Sequence, residues 1–279
     1  MTQPEYQYRR RYVGGIRAVI FDWAGTIVDY GSRAPAGVFV EVFRRQGVSI
    51  SMDEARGPMG TYKRDHLRIL TEMPSVRQRW RAAHGRDPLE ADIDAMFEAF
   101  IPLQLECLPD YGDVIPGAIE IQAWLRDRGI RIGSSTGYNR EMTEIVTAGA
   151  ARQGLEPDAC VCNEDVGEGR PAPWMCFENL KRLGVYPVES AVKVDDTLPG
   201  IEAGLAAGMW TVGVIRTGNE LGLSAEEVAA LPADELETRL RQGRQRFLQA
   251  GAHAVVDAVG DLAAVIEGFE QRLTRGEKP

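Results

Sequence analysis

Short apolar runs alternate with amphipathic stretches along most of the chain. The first apolar run, residues 17–21, contains β-branched side chains and closes on Asp22, which predicts a buried strand. Further runs of this kind lie at residues 130–134, 159–162, 191–194 and 210–215, with a short last one near 254–256. Helical spacing between them predicts helices at residues 119–128, 141–153, 174–183 and 201–207. Strands that alternate with helices indicate a parallel sheet.

The stretch from about residue 36 to about residue 108 lacks this alternation. Apolar side chains such as Val38, Phe39 and Val42 recur there at helical spacing, and later ones do the same as far as Ile101. No strand pattern interrupts these predicted helices. The predicted sheet is therefore interrupted after its first strand by an all-helical insert.

Two folds fit this order of elements. One is a single irregular α/β domain. The other, which we predict, is an α/β doubly wound, Rossmann-like parallel-sheet core with an α-helical cap inserted after the first strand. The expected limits are residues 1–32 and 110–279 for the core domain and residues 33–109 for the cap domain.

Composition and charge narrow the class of protein. The 279 residues are 44% hydrophobic and 26% charged, and no apolar run reaches the roughly 18 residues of a membrane span. A net charge of −9 argues against a nucleic-acid partner but leaves room for a small anionic substrate. Residues 6–12 are polar and basic and lack the apolar stretch of a signal peptide, so we expect a cytoplasmic protein. The four cysteines and three histidines do not have the spacing of a zinc site.

Polar side chains follow four of the predicted strands, at residues 22–26, 134–138, 165–173 and 195–197. In doubly wound folds, ligands bind outside the carboxyl ends of the strands. Magnesium prefers oxygen ligands, a phosphoryl group requires cations and hydrogen-bond donors, and a carboxylate can attack phosphorus. Any one of these residues alone is better explained as a turn residue, a helix cap or a surface charge. Four such groups at one sheet edge predict a site for phosphoryl chemistry.

These four segments, in this order, resemble the motifs of the haloacid dehalogenase superfamily. Asp22 stands at the nucleophile of the first motif, Thr136 at the second, Arg170 at the third and Asp196 at the acidic fourth. The resemblance covers essentially the whole chain, because the helical insert also stands where the family has its cap.

One departure from the superfamily changes the expected reaction. Its phosphatases usually carry an aspartate two residues after the nucleophile, which protonates the leaving oxygen, and this chain has Ala24 there. A C–P bond has no leaving oxygen but needs an electron sink, and a lysine condensed with a neighbouring aldehyde provides one. Lys63 in the cap is the candidate, and His66, one helical turn on, could relay protons. Spacing alone favours the plainer interpretation, in which both belong to a solvated helix face.

A closer resemblance, to the phosphonoacetaldehyde hydrolases or phosphonatases, is carried by longer segments. They are residues 21–26, 29–31, 34–35, 58–60, 133–134, 136–138, 169–171, 173–174 and 208–213, together with Lys63, Asp65 and His66. The resemblance implies Mg²⁺-dependent hydrolysis of phosphonoacetaldehyde to acetaldehyde and phosphate by a homodimeric enzyme. Lys63 would form a Schiff base, and Asp22 would accept the phosphoryl group. Arg170 would neutralise the charge of the Asp22 nucleophile and of the phosphoryl group. The resemblance assigns the metal to Asp22, Asp196 and the backbone carbonyl of Ala24, and substrate binding to Ser32, Met59, Thr136, Gly137 and Tyr138, with His66 beside the aldehyde.

Two positions depart from the phosphonatase pattern. Asp195 stands where glycine is common, and Gly200 stands where some members have a further acid. Ser32 replaces a cysteine of some relatives, and its hydroxyl can still form hydrogen bonds. The alternatives are another superfamily phosphohydrolase for a small phosphorylated metabolite, a dehalogenase, or a non-catalytic metal- or phosphate-binding relative. Ala24 disfavours a phosphatase, and the metal-type fourth motif disfavours a dehalogenase.

Overall fold

Six parallel strands form one sheet at the centre of the molecule. The computed structural model describes residues 12–279, so residues 6–11 of the expected basic lead-in lie outside the described residues. The strands are β1 (Ala18–Phe21), β2 (Arg131–Thr136), β3 (Ala159–Cys162), β4 (Ala191–Asp195), β5 (Trp210–Val214) and β6 (Ala254–Val256). Their order, β3-β2-β1-β4-β5-β6, is that of a doubly wound, Rossmann-like sheet, which confirms the predicted fold class.

The central strand β1 is buried on both faces because helices cover both. Val19 and Phe21 point into the larger hydrophobic cluster, while Ala18 and Ile20 point into a second cluster on the opposite face. This is the alternation of a strand, and it explains why a strand covered on both sides has a continuous apolar sequence. The helices of the core are α6 (Ala118–Asp127), α7 (Arg140–Ala151), α8 (Trp174–Leu183), α9 (Leu198–Ala207), α10 (Ala225–Ala230), α11 (Ala233–Gln249) and α12 (Leu262–Thr274).

Five helices occupy the stretch between β1 and α6. They are α1 (Ala34–Arg45), α2 (Met52–Arg56), α3 (Lys63–Glu72), α4 (Pro74–His84) and α5 (Glu90–Cys107). Helices α2 and α4 were not predicted as separate helices from the sequence. Helix α2 is only five residues long, and its start is set by a capping box between Ser51 and Glu54. Helix α4 buries only Val76 and Trp80, too few apolar positions to show a helical period.

The chain leaves the core for the cap through a short, tightly turned segment. Asp29, Gly31 and Ser32 all have positive φ, at 54°, 90° and 49°. The Asp29 carboxylate accepts hydrogen bonds from the backbone amides of Arg33 and Ala34, which would otherwise be unsatisfied at the start of α1. The linker is therefore a defined structure that sets how α1 leaves the core. The limits of the two domains, residues 33–109 and the remainder, stay a prediction.

The five cap helices pack around aromatic side chains. Phe39 of α1 stacks on the His66 ring at 3.7 Å between centroids and lies 4.6 Å from the Phe100 ring.

Among residues 12–279, no helix is both long enough and apolar enough to cross a membrane.

Candidate active site

Asp22 is the first residue after β1, at the carboxyl edge of the sheet. Strands β2 and β4 flank β1, so the residues that end all three strands come together at this edge. The Asp22 backbone amide donates to the carbonyl of Val194 at 2.9 Å, which extends the pairing with β4 by one step. The side chain is 8% exposed. The sheet order thus brings the polar groups of separate sequence segments into one site.

Arg170 is the cation that faces this carboxylate. Its Nη2 lies 2.7 Å from Oδ1 of Asp22 and donates to the carbonyl and the hydroxyl of Ser135 at 2.7 and 2.8 Å. Burial raises the pKa of Asp22 above its ordinary value; Arg170 opposes this rise and the nearby Asp195 carboxylate adds to it. Arg170 therefore supplies a positive charge that favours the ionised form of this buried carboxylate.

Three buried carboxylates, those of Asp22, Asp195 and Asp196, place oxygen atoms within 4.8 Å of one another. Asp196 accepts hydrogen bonds from the Thr26 hydroxyl at 3.0 Å and from the Asn219 backbone amide at 2.8 Å. Burial, followed by Asp22 and Asp195, raises the pKa of Asp196 well above its ordinary value. A hard divalent cation would offset this concentration of negative charge, and the all-oxygen donor set fits one.

Lys63 opens α3 and is buried, with 5% of its surface exposed. Its Nζ lies 5.1 Å from the Tyr138 ring centroid and 5.8 Å from that of Phe39. Burial, opposed by Asp22 and assisted by Arg170, lowers the pKa of Lys63 to about 8. The structure thus places Lys63 among aromatic rings near the carboxylates. The interpretation of Lys63 and His66 as part of a solvated helix face is therefore wrong.

A small cavity of about 20 Å³ separates the cap from the core at this point. Its lining includes nine of the residues proposed from sequence, namely Asp22, Ala24, Ser32, Met59, Lys63, Thr136, Gly137, Tyr138 and Arg170, with Pro35, Gly60 and Thr197 added. A cavity of this size holds about one water molecule. The cap therefore lies close against the core in this conformation, which we call closed.

Two predicted site residues lie outside this lining. Asp196 reaches the site as part of the carboxylate cluster. His66 is fully buried behind Phe39, and its Nε2 lies 2.8 Å from the Ala55 carbonyl, so Nε2 carries the proton. Nδ1 has no partner among the described residues, and burial, with Lys63, lowers the pKa of His66 well below its ordinary value. The ring is therefore neutral and packs the cap around Lys63, and a proton relay through it stays a prediction.

Close backbone approaches fix how the cap loop before α3 meets the core. A Cβ at Gly60, where φ is +93°, would lie 2.2 Å from the Thr197 hydroxyl. A Cβ at Gly137 would lie 2.6 Å from the carbonyl of Thr61. Both glycines therefore permit a contact between cap and core that a larger residue would prevent.

Several residues that build the site were given no role from sequence. Ser135 lies within the predicted polar segment 134–138, but its contact with Arg170 depends on the fold. Lys193 lies inside β4, so its role depends on which face of the sheet it uses. Asn219 follows β5, and the Thr217 hydroxyl beside it donates to the Gly25 carbonyl at 2.8 Å. The polar residues after this fifth strand were a signal that the sequence analysis did not use. Arg56 donates hydrogen bonds to Asn219 and to the Gly222 carbonyl of the core. Its position in the sequence gave no indication of this beyond its charge.

Comparison with known proteins agrees with this geometry. Residues 16–208 match the model of the haloacid dehalogenase-like hydrolase family. The chain is 48% identical over 274 residues to a protein of Hahella chejuensis named phosphonoacetaldehyde hydrolase, covering 98% of this chain and 93% of the relative. A protein of the same name from Bacillus cereus is 49% identical over 257 residues, 92% of this chain and 97% of the relative.

Solved structures extend the comparison. A phosphonoacetaldehyde hydrolase-like protein from Oleispira antarctica is 40% identical and superposes with a TM-score of 0.96, covering 99% of this chain and all of the other. A putative β-phosphoglucomutase from Bacteroides vulgatus, 23% identical with a TM-score of 0.66, covers 93% of this chain and 90% of its own, and shares the fold alone. The resemblance inferred from the motifs is confirmed. The chain belongs to the phosphonoacetaldehyde hydrolase family of the haloacid dehalogenase-like hydrolases.

Proposed function

We propose that this chain hydrolyses the C–P bond of phosphonoacetaldehyde to acetaldehyde and phosphate. The observation that carries the proposal is the shared cavity. Lys63 from the cap and Asp22 from the core line the same closed space, and Arg170 lies beside the carboxylate. An amine and a carboxylate so placed can act on the two ends of one small molecule, the aldehyde and the phosphonate. The names of the relatives support this substrate.

Lys63 activates the carbon side of the substrate. With a pKa of about 8, about one Lys63 side chain in ten is uncharged at pH 7, far more than for an ordinary lysine. The free amine attacks the aldehyde carbon, and loss of water gives a protonated imine. Tyr138 and Phe39, whose rings lie near Nζ, exclude water from this side of the cavity. Ser32 and Met59 also line the cavity and complete the aldehyde side.

Asp22 acts on the phosphorus side. Its carboxylate attacks phosphorus, the C–P bond breaks, and the bonding electrons pass to the imine, which becomes an enamine. Water then cleaves the aspartyl phosphate and releases phosphate and Asp22. The enamine takes a proton at carbon, and hydrolysis of the resulting imine releases acetaldehyde and Lys63, so that one water is consumed overall. The leaving carbon needs no proton at this stage, which fits Ala24 in place of an acid.

The remaining groups orient and neutralise the phosphonate. Thr136 and Gly137, directly after β2, line the cavity beside Arg170 and would bind phosphonate oxygens. Asp22, Asp196 and the backbone carbonyl of Ala24 would hold Mg²⁺, which supplies positive charge between the carboxylate and the phosphonate when bound. Arg170 aligns Oδ1 of Asp22 and offsets charge that the phosphonate brings. We extend the proposal to a cytoplasmic homodimer with no nucleic-acid partner.

The experiment is product analysis combined with trapping. The protein is incubated with phosphonoacetaldehyde and Mg²⁺, and acetaldehyde and phosphate are assayed in parallel. We expect equal amounts of both, and, after borohydride, a reduced adduct on Lys63 located by peptide mass spectrometry. Phosphate release from simple phosphate esters, with none from phosphonoacetaldehyde, would favour another superfamily phosphohydrolase. Binding of Mg²⁺ and phosphate without turnover of either substrate class would favour a non-catalytic relative.

A further inference from the structure

The carboxylate of Asp195 fills the space above Gly200. A Cβ built on Gly200 would lie 2.0 Å from Cγ and Oδ2 of Asp195 and 2.2 Å from Oδ1. Gly200 lies in the first turn of α9 and is not among the glycines of positive φ, so its backbone does not require glycine. What requires glycine there is the neighbouring carboxylate, because any side chain at position 200 would occupy the same space.

Donors of the chain itself surround this carboxylate. Lys193 Nζ lies 2.7 Å and Arg170 Nη1 lies 3.3 Å from Oδ2. On the other oxygen, Oδ1 accepts from the Thr197 backbone amide at 3.0 Å and from its hydroxyl at 2.6 Å. Asp195 and Lys193 are fully buried. Asp195 therefore serves two buried cations, which would be costly to leave without a counter-ion.

The contact with Arg170 connects Asp195 to the nucleophile. One terminal nitrogen of the guanidinium, Nη1, lies 3.3 Å from Oδ2 of Asp195 as an ion pair without hydrogen-bond geometry, and the other, Nη2, lies 2.7 Å from Asp22. Because the guanidinium is planar and rigid, holding one nitrogen fixes the direction of the other. Asp195 thus lies beside both Lys193 and the side of Arg170 that does not contact Asp22, and its position favours the orientation in which Arg170 faces Asp22.

We infer that Asp195 is a positioning residue whose carboxylate neutralises Lys193 and anchors Arg170, rather than a direct ligand of the cation. Residues 195 and 200 form an exchangeable pair, since an aspartate at position 200 would direct its carboxyl group into the same set of donors. One carboxylate, from either position, satisfies the site. Two would clash and repel, and none would leave Lys193 without its carboxylate partner and Arg170 with Asp22 alone. The effect on turnover rests on the proposed function, whereas the effect on stability does not.

The test is a double-mutant cycle of Asp195→Gly, Gly200→Asp and the combination, with thermal melting in EDTA and turnover in Mg²⁺. We expect each single variant to melt roughly 5–15 °C below the parent protein, and the combination to recover most of this loss. For Asp195→Gly we expect kcat to fall about a hundredfold with KM changed little, and the combination to recover kcat. Gly268→Asp in α12, where a Cβ meets no atom of residues 12–279 within 4 Å, is the control for a glycine-to-aspartate change in a helix.

The sign of the melting shift separates the two roles of Asp195. In metal-free protein, Asp195→Asn should lower the melting temperature if the carboxylate is a counter-ion of Lys193 and Arg170. The same change should raise it if Asp195 is chiefly a cation ligand, because one of three mutually repelling carboxylates is removed. A rise, or a combined variant no more stable than the worse single variant, would overturn the inference. These melting results stand even if the protein proves inactive on phosphonoacetaldehyde.

Discussion

Arg56 and Asn219 hold each other across the boundary between cap and core. Arg56 Nη1 donates to Oδ1 of Asn219 at 3.2 Å, and Asn219 Nδ2 donates to the Arg56 carbonyl at 3.2 Å. The backbone amide of the same Asn219 donates to Oδ2 of Asp196. Asn219, which binds Arg56 of the cap, therefore also orients a carboxylate of the proposed metal site. Closure of the cap and the geometry of that site are thus linked.

Replacing Arg56 by alanine should weaken the closed state. The guanidinium also donates to the carbonyls of Gly31 and Gly222, both at 2.9 Å, so the change removes bonds to the linker and to the loop after β5. A loss of about 2 kcal/mol in closure would lower kcat/KM roughly thirtyfold. Steady-state kinetics checks this. Arg79→Ala, which breaks an ion pair with Glu54 inside the cap, is the control and should leave kcat/KM within about twofold. Equal losses in both variants would contradict a specific role for Arg56.

The pH dependence of activity should report Lys63. Imine formation needs the uncharged amine, and the pKa of Lys63 is lowered to about 8. Below that pH the reactive fraction falls tenfold per unit, so log kcat/KM should rise with a slope of one and level off above about pH 8. The rate of borohydride trapping with acetaldehyde alone should follow the same curve, which isolates the amine from the phosphorus chemistry. A trapping rate that stays flat between pH 6.5 and about 9 would refute the assignment.

Lys63→Arg should abolish turnover while the protein still folds. Arginine keeps the positive charge but cannot form the imine, so we expect kcat to fall by at least about a thousandfold. Far-UV circular dichroism and the melting temperature check that folding persists. Because arginine is larger, Lys63→Met serves as a second variant that fits a buried, partly aromatic environment. Phosphate release from phosphonoacetaldehyde that survives both changes would exclude the imine mechanism.

Gly60→Ala should impair activity more than the backbone conformation alone explains. An alanine Cβ would meet the Thr197 hydroxyl at 2.2 Å and push the cap loop away from the core. Gly47 also has positive φ, +71°, but a Cβ there meets nothing within 4 Å, so Gly47→Ala isolates the cost of the conformation. We expect both changes to cost about 1 kcal/mol of stability and only Gly60→Ala to lower kcat/KM, by roughly tenfold or more. Kinetics and melting of the two variants side by side decide this, and equal kcat/KM values would count against the contact.

The order of strands and helices could be predicted because it depends on local periodicity. All six strands were found from short apolar runs, and the polar residues after four of them pointed to Asp22, Thr136, Arg170 and Asp196. The helices α2 and α4 were missed because one is short and the other buries little apolar surface. The local apolar pattern of these two helices is weak, so their formation depends on tertiary packing.

The sequence by itself determined the fold class, the family and the position of Asp22, the proposed nucleophile, at the end of β1, because strand periodicity and motif spacing are properties of the chain. Tertiary structure alone decided that Lys63 is buried beside the core carboxylates and that His66 turns its proton to Ala55. Only the folded chain shows that Asp195 occupies the space above Gly200. These outcomes depend on which side chains share a volume, and residues far apart in sequence compete for that volume only after the sheet has brought them together.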